Sequence, residues 1–422
     1  MKRFILSGTL VLVLIMFFVN IISCNKVNTV DDRRFNEKGY LLKDSTDNNN
    51  FTLKAPNLVK VYVEVSGSMN GFFRANQTTA FKQDLWDILS YYSDITPNIY
   101  ILTNEGNQGD VLTQSEFRSK MNTGAFESNA STKVPLMLET VFSNLNADEG
   151  EVAVLVSDMK YSPVGSQAPQ VLVSQYSSDI SEIIGKYNKA ISIVCATSDY
   201  KNRHCVDVAE GYSPYYYMII GNQEHVAEVR NKISILLSQN GNFIDNIDSG
   251  FKYGKPSYSF GIPKKCYQLE DEPTFLEYED EEFKDTCTIN LKVDIENYRW
   301  LLSDSSVFSN SFKVKSLYGS LVKVGKINIK SNNSEGNELR RVSTAFVELK
   351  ISNMLLESDV LEWTLELPNT DYSMFNQFFD GAIDENDPTK SFSVEKLLQG
   401  IFKRGSVNDK LEYNYILISK GN

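Results

Sequence analysis

The residues best suited to chemistry form the motif Glu64-x-Ser66-x-Ser68, which overlaps the end of an apolar, β-branched run at residues 59–65. Such a run is typical of a buried strand in a parallel sheet, and open α/β sheets bind ligands at the carboxyl ends of their strands. Gly67 allows the backbone to turn, so the carboxylate and the two hydroxyls can point into one small space. Oxygen donors without a thiolate or an imidazole suit a hard divalent cation such as Mg²⁺, Mn²⁺ or Ca²⁺.

Two later segments carry oxygen donors in comparable settings. Thr132 precedes apolar residues at helical spacing, and Asp158 follows the apolar run at residues 152–156. Together with the first motif they form an ordered trio that resembles the three loops of von Willebrand factor A domains, whose Asp-x-Ser-x-Ser signature opens a metal-ion-dependent adhesion site. The resemblance implies a divalent cation, with Mg²⁺ expected and Mn²⁺ or Ca²⁺ as alternatives. The ligands that it implies are Glu64, Ser66, Ser68, Thr132 and Asp158.

The first ligand departs from the family pattern, which usually has Asp where this chain has Glu64. In the family this acid generally reaches the metal through water. The extra methylene of glutamate pushes the carboxylate further into the site, so Glu64 binds the ion directly, shifts it, or leaves the site empty. A simpler alternative involves no metal. Ser66, Ser68 and Thr132 would then be helix caps, and Asp158 would merely end a strand.

Catalysis has few candidate residues in this chain. The sequence contains two histidines, His204 and His225. His204 stands beside Cys205, but adjacent residues rarely face each other as a nucleophile and its base must. The sequence also lacks the His-Glu-x-x-His, Gly-x-Ser-x-Gly and Walker-type motifs. We therefore expect both histidines to be ordinary surface or loop residues and the protein not to be an enzyme.

Length and composition favour two folded domains. A chain of 422 residues exceeds a typical single domain, and its 42% hydrophobic and 12% aromatic residues are sufficient for real cores. The formal net charge of −12, without a basic stripe, argues against nucleic acid as a partner.

The amino-terminal segment resembles a bacterial lipoprotein signal peptide. Two positive charges precede an apolar core at residues 10–19, and a small residue stands directly before Cys24. The resemblance implies a signal peptide at residues 1–24 and lipidation of Cys24. The alternative is an uncleaved anchor, because residues 4–22 are just long enough to span a bilayer. In both cases the rest of the chain lies outside the cytoplasm on a membrane tether.

The remaining sequence divides into three parts. Residues 25–57 are polar and predict a flexible tether. Residues 58–240 alternate between strand and helix patterns, which predicts an α/β domain with a doubly wound, mostly parallel sheet, as the von Willebrand A resemblance also implies. Residues 241–422 contain short alternating segments between Asn, Ser, Gly and Asp clusters. They predict a β-rich, sandwich-like domain with one helix near residues 393–403, and they resemble no family.

The cysteines leave several pairings open. With Cys24 lipidated, four remain, and an exported protein can oxidise them. Cys266 and Cys287 flank an acidic stretch and are candidates for a disulfide. Cys195 lies in a predicted core strand, where we expect a free buried thiol, with a bridge to Cys205 as the alternative.

These features lead to two functional hypotheses from different classes. The first is a lipoprotein of the bacterial cell envelope, at the outer membrane or the cell surface, whose first domain binds a protein partner that offers a carboxylate to the cation. The second is a metal-free scaffold subunit of an envelope assembly. A hydrolase in the second half has little support, because histidine is scarce in this sequence.

Overall fold

We analysed a computed structural model of the chain. It describes residues 32–36, 41–42, 53–103, 105–127, 131–161, 169–201, 208–261, 266–269, 272–278, 286–299, 301–302, 304–333, 341–368, 372–380, 387–403 and 410–420.

The first half of the chain builds one seven-stranded sheet. Its strands are β1 (Leu58–Glu64), β2 (Ile99–Thr103), β3 (Asn107–Leu112), β4 (Glu151–Ser157), β5 (Ala190–Tyr200), β6 (Val208–Gly221) and β7 (Phe243–Ser249). Their order across the sheet is β3-β2-β1-β4-β6-β5-β7. The sheet and its helices confirm an α/β fold for this half.

The sheet is mixed in direction. β1 pairs in parallel with β2 and β4, as predicted for the strands around the motif. The four other pairings are antiparallel. β5 ends at Tyr200 and β6 begins at Val208, a connection too short for the crossover of about a dozen residues that parallel pairing requires. β6 therefore returns antiparallel and lies between β4 and β5.

Five helices accompany this sheet in the described ranges. They are α1 (Ala80–Tyr91), α2 (Gln114–Thr123), α3 (Val134–Ser143), α4 (Pro169–Tyr187) and α5 (Gln223–Gln239). Local sequence fixes several of their ends. Thr79 caps α1 by accepting a hydrogen bond from the Lys82 N–H, and Thr113 forms a reciprocal capping box with Glu116 at the start of α2.

The second half is rich in β-structure, as predicted. Its elements are β8 (Tyr258–Gly261), β9 (Cys266–Leu269), β10 (Glu272–Tyr278), β11 (Thr286–Asp294), α6 (Ser305–Ser311), β12 (Phe312–Ser316), β13 (Leu321–Asn333), β14 (Arg341–Ser352), β15 (Ser358–Leu365), β16 (Phe379–Asp380), β17 (Ser391–Phe392), α7 (Val394–Phe402) and β18 (Asn414–Lys420). One sheet has the order β12-β15-β18-β10-β9, a second has the order β13-β14-β11-β8, and β16 pairs with β17.

The two larger sheets of this half share a core. Leu361 and Trp363 of the five-stranded sheet belong to the same buried cluster as Leu291 and Val347 of the four-stranded sheet. The rings of Tyr258 and Trp363 lie 5.3 Å apart across it. The arrangement is consistent with the sandwich-like packing that the alternating segments predict.

The two halves are interlocked beyond the boundary suggested at residue 240. β7 belongs to the first sheet although it follows that boundary. The chain between β15 and β18 also contacts the first half, because its helix α7 packs against α4 of the α/β half. Gly400 permits this close approach, because a Cβ there would lie 2.6 Å from the Ser177 carbonyl oxygen. The helix predicted near residues 393–403 thus lies where the two halves contact each other.

Part of the predicted tether is packed. Phe35 is only 7% exposed and lies in an apolar cluster on the five-stranded sheet. Residues 32–36 and 41–42 therefore differ from the flexible tether that their polar composition predicts, because Phe35 is buried on the sheet and Asp32 and Arg34 make polar contacts with it. None of the helices in the described ranges is long and apolar enough to cross a membrane. The predicted signal at residues 1–24 lies outside those ranges.

The contact between α7 and α4 gives a prediction about stability. A Gly400→Leu substitution should lower the free energy of unfolding by about 1–3 kcal/mol, because the added side chain meets α4 at clash distance. Leucine is a better helix former than glycine, so a loss reports the clash and not helix propensity. A matched control is Glu395→Leu at an exposed position of the same helix, which should stay within about 0.5 kcal/mol of the wild type. Denaturant unfolding curves measure both, and equal curves would contradict tight packing at Gly400.

Candidate functional site

The candidate site lies where three segments meet at the carboxyl edge of the parallel strands. Glu64 is the last residue of β1, and Asp158 directly follows β4, its parallel neighbour. Thr132 forms an isolated parallel bridge with Glu105, which follows β2 in the chain. Because parallel strands end at the same edge, the fold brings these three residues together.

Hydroxyl groups surround the Glu64 carboxylate, which is 3% exposed. Thr132 Oγ1 donates a hydrogen bond to Glu64 Oε1 over 2.5 Å. Ser157 Oγ donates to the other carboxylate oxygen, Oε2. The first residue of α3 is Val134 and its N-cap is Lys133, so Thr132 is not the cap that the simpler alternative assumes.

The serines of the motif lie in a short 3-10 turn over residues 67–69. Ser66 Oγ and Ser68 Oγ are 3.0 Å apart and share a hydrogen bond. Ser66 stands at the start of this turn but makes no side-chain cap, again unlike the simpler alternative. Tyr200 supports the turn by donating its hydroxyl proton to the Ser68 carbonyl oxygen over 2.9 Å. A Cβ on Gly71 would come within 2.4 Å of the Tyr200 ring, so only glycine fits there.

Asp158 is buried with one oxygen unused. The residue is 1% exposed, and its Oδ1 accepts a hydrogen bond from the Lys160 N–H over 3.1 Å. Its Oδ2 is buried and makes no hydrogen bond within the described part of the chain. The next residue, Met159, is buried and has a φ of +56°, a left-handed conformation that non-glycine residues rarely adopt. Strain of this kind is concentrated at functional sites.

Lys160 links the site to the second half. It is 7% exposed, and its Nζ donates a hydrogen bond to the Asp387 carbonyl oxygen over 2.7 Å. Its positive charge also acts on the carboxylate of Asp158. The segment around β17 therefore lies next to the candidate site, and the chain provides one cation of its own there.

The two buried acids perturb each other. Burial raises the pKa of Glu64 to about 7, and the negative charge of Asp158 adds to the rise, whereas hydrogen bonds from the surrounding hydroxyls oppose it. Burial also raises the pKa of Asp158, against the positive charge of Lys160, the hydrogen bond from the Lys160 N–H and the nearby hydroxyl of Ser68. All five predicted residues are thus gathered in one place.

Sequence reasoning missed several residues of this site. Ser157 is the last residue of a buried strand, and its type alone gives no sign that it serves Glu64. Tyr176 on α4 looks like a core residue at helical spacing. It is fully buried, its hydroxyl has no hydrogen-bond partner among the described residues, and burial together with the charges of Tyr161 and Glu64 raises its pKa. The apolar pattern that predicts burial for Tyr176 carries no information about its hydroxyl.

The donor set fits a hard divalent cation. Asp158 Oδ2 is an unpaired buried carboxylate oxygen, and the hydroxyls of Ser66, Ser68 and Thr132 keep lone pairs for ligation. Both oxygens of Glu64 already accept hydrogen bonds, which suits a role outside direct contact with the ion. Among the described residues, no group of three or more His, Cys, Asp or Glu side chains is placed to hold a metal ion.

A cleft of about 480 Å³ lies between α3 and α4. Lys133, next to Thr132, and Tyr161, shortly after Asp158, line it together with Leu136 of α3 and other residues. The lining combines apolar and charged side chains, and none of the five candidate ligands belongs to it.

The other candidates take no part in this site where the structure describes them. His225 lies on α5, and its Nδ1 is 3.0 Å from the Lys54 carbonyl oxygen. Cys195 is a buried free thiol on β5, as expected. Cys287 is buried on β11. His204, Cys205, Cys24 and the side chain of Cys266 lie outside the described residues. The Cys266–Cys287 disulfide therefore remains a prediction, whereas the alternative bridge from Cys195 to Cys205 is wrong because Cys195 is free.

Searches of protein-family models, curated proteins and solved structures found no match to this chain.

The raised pKa of Glu64 predicts how stability depends on pH. The folded protein holds a proton on Glu64 up to about pH 7, whereas the unfolded chain releases it near 4.5. The contribution of Glu64 to the free energy of unfolding should therefore be fully present below pH 4.5. It should be lost as the pH rises to about 7, which lowers the free energy of unfolding by on the order of 1–3 kcal/mol. Glu64→Gln cannot ionise and should lose this component. Urea unfolding at pH 5 and pH 8 in the presence of a chelator measures this pH dependence. Exposed Glu149→Gln is the control and should keep it. The same pH dependence in Glu64→Gln and the wild type would contradict the assignment.

Proposed function

We propose that this protein is a membrane-anchored lipoprotein of the bacterial cell envelope whose α/β half binds a protein partner through a divalent cation. The observation that carries the proposal is the unpaired, buried Asp158 Oδ2 among hydroxyl donors at the carboxyl edge of parallel strands. A buried carboxylate oxygen without a partner is costly, and a bound cation would remove that cost.

In this proposal, Asp158, Ser66, Ser68 and Thr132 hold the ion, and Glu64 orients the hydroxyl of Thr132. Mg²⁺ is the expected ion, with Mn²⁺ and Ca²⁺ as alternatives, because all of these donors are oxygen atoms. When bound, the cation offers an open position to a carboxylate of the partner, as the von Willebrand A resemblance implies. In this proposal the partner also contacts the cleft between α3 and α4. This is binding chemistry without turnover, and it needs no histidine.

The alternative is a metal-free scaffold subunit of an envelope assembly, and two observations favour it. Both oxygens of Glu64 are already satisfied by Thr132 and Ser157, so this acid does not require an ion. Lys160 also brings a positive charge to Asp158. Under this alternative, the site is a structural feature of the α/β half, and partners bind elsewhere.

Cation titration distinguishes the two functions. Mg²⁺, Mn²⁺ and Ca²⁺ are titrated calorimetrically into the full chain, Asp158→Ala, Glu64→Asp and exposed Glu149→Ala. The proposal predicts saturable binding that Asp158→Ala abolishes and Glu149→Ala preserves, because only the former loses a ligand. Binding that appears only in Glu64→Asp would instead support the scaffold, since the longer acid would then be what keeps the ion out. Absence of binding in every variant would overturn the cation site.

A further inference from the structure

A row of apolar side chains crosses the outer face of the five-stranded sheet. Val360 of β15 and Phe275 of β10 are both aligned with Leu417 of β18, the strand between them. All three are buried, although they belong to a separate cluster from the main core. Phe35, from the segment predicted as a tether, covers this row and is itself 7% exposed.

Polar contacts fix the same segment on the sheet. Asp32 is 6% exposed, and its carboxylate accepts a hydrogen bond from the Tyr318 hydroxyl over 2.8 Å and another from Arg34 Nε over 2.9 Å. The Arg34 guanidinium lies 4.6 Å from the centre of the Tyr415 ring and 3.9 Å from a Glu362 carboxylate oxygen. The buried acid is thus paired, as burial of a charge requires.

The segment also closes on itself. Phe35 forms an antiparallel bridge with Leu41, and the Leu42 N–H donates to the Arg34 carbonyl oxygen over 2.6 Å. Leu41 packs against the same apolar cluster, whereas the side chain of Leu42 is 53% exposed. Residues 32–36 and 41–42 therefore form one docked unit, which we call the clasp.

We infer that the clasp ties the anchor-bearing amino terminus to the second half, so that the second half lies next to the membrane and the α/β half projects from it. The occupant of the outer sheet face is thus the amino-terminal segment of the same chain. The inference rests on the membrane attachment in the proposed function. It goes beyond that function because it says which half faces the membrane.

The number of residues between the anchor and the clasp sets how far the protein can extend from the membrane. From Cys24 to Asp32 a fully extended chain spans about 28 Å, at roughly 3.5 Å per residue. Without the clasp, the first fixed point would be near Leu53, where Lys54 and Ala55 contact His225 of the α/β half. The extended span from Cys24 to Leu53 is about 100 Å. The clasp therefore limits how far the protein can reach from an anchor at Cys24.

Hydrogen exchange on the full chain in detergent tests the clasp without a membrane. Phe35→Asp should raise amide exchange at Phe35 and Leu42 by roughly tenfold or more, because the apolar row no longer holds the segment. Leu42→Asp is the matched control, since it places the same charge on an exposed side chain of the same segment. Arg34→Ala and the exposed Arg33→Ala form a second pair, of which only Arg34→Ala should raise amide exchange. Equal exchange in Phe35→Asp and Leu42→Asp would overturn the clasp.

Energy transfer on phosphatidylcholine vesicles tests which half of the protein lies next to the membrane. A donor dye is introduced either at exposed Lys315, beside Glu362 and the clasp, or at Lys120 on α2 of the α/β half, and the acceptor is a labelled lipid. Transfer should be more efficient from Lys315 than from Lys120, and Phe35→Asp should reduce the difference. Equal transfer from both positions in the wild type would overturn the placement. A chain that shows the exchange difference but does not bind vesicles would keep the clasp and overturn the membrane attachment in the proposed function.

Discussion

Two carboxylates buried side by side, Glu64 and Asp158, are the constraint on which the central region depends. Removing a charged group from water costs several kcal/mol unless hydrogen bonds or an opposite charge compensate for it. The loop after β1, the last residue of β4 and the loop before α3 supply hydroxyls for that purpose, and Lys160 supplies a charge. The parallel pairing of β1 with β4 is what places both acids at one edge.

The compensation is uneven between the two acids, and the difference gives the site its chemical character. Glu64 has a hydroxyl donor on each oxygen, from Thr132 and from Ser157. Asp158 has a backbone partner on one oxygen, and the other is buried without a hydrogen-bond partner among the residues that the structure describes. Met159, whose backbone has a left-handed conformation, directly follows Asp158 in the chain. The unpaired acceptor next to a strained residue is what motivates the proposal of a cation site.

The second half of the chain contributes to the site as well as to its own core. Lys160 reaches the Asp387 carbonyl oxygen, and α7 packs on α4 through Gly400. The site therefore lies in the α/β half, and the segment of the β-rich half between β15 and β18 packs against that half. The clasp forms a further link, since it connects the polar amino-terminal segment to the outer face of the five-stranded sheet.

The sequence by itself determined the elements and the motif, whereas the tertiary structure decided their partners. The β-branched run before Glu64 and the helical spacing after Thr132 were sufficient to predict β1 and α3. The gathering of five polar residues at one edge was implied by the resemblance of the three loops to von Willebrand A domains. The local patterns could not predict that β6 lies antiparallel between β4 and β5, because periodicity reports which faces are buried and not which strand lies alongside. For the same reason, Phe35 in a polar stretch, Ser157 at a strand end and Tyr176 on an apolar helix face gave no local signal. Their roles depend on groups far away in the chain, which only the folded structure brings into contact.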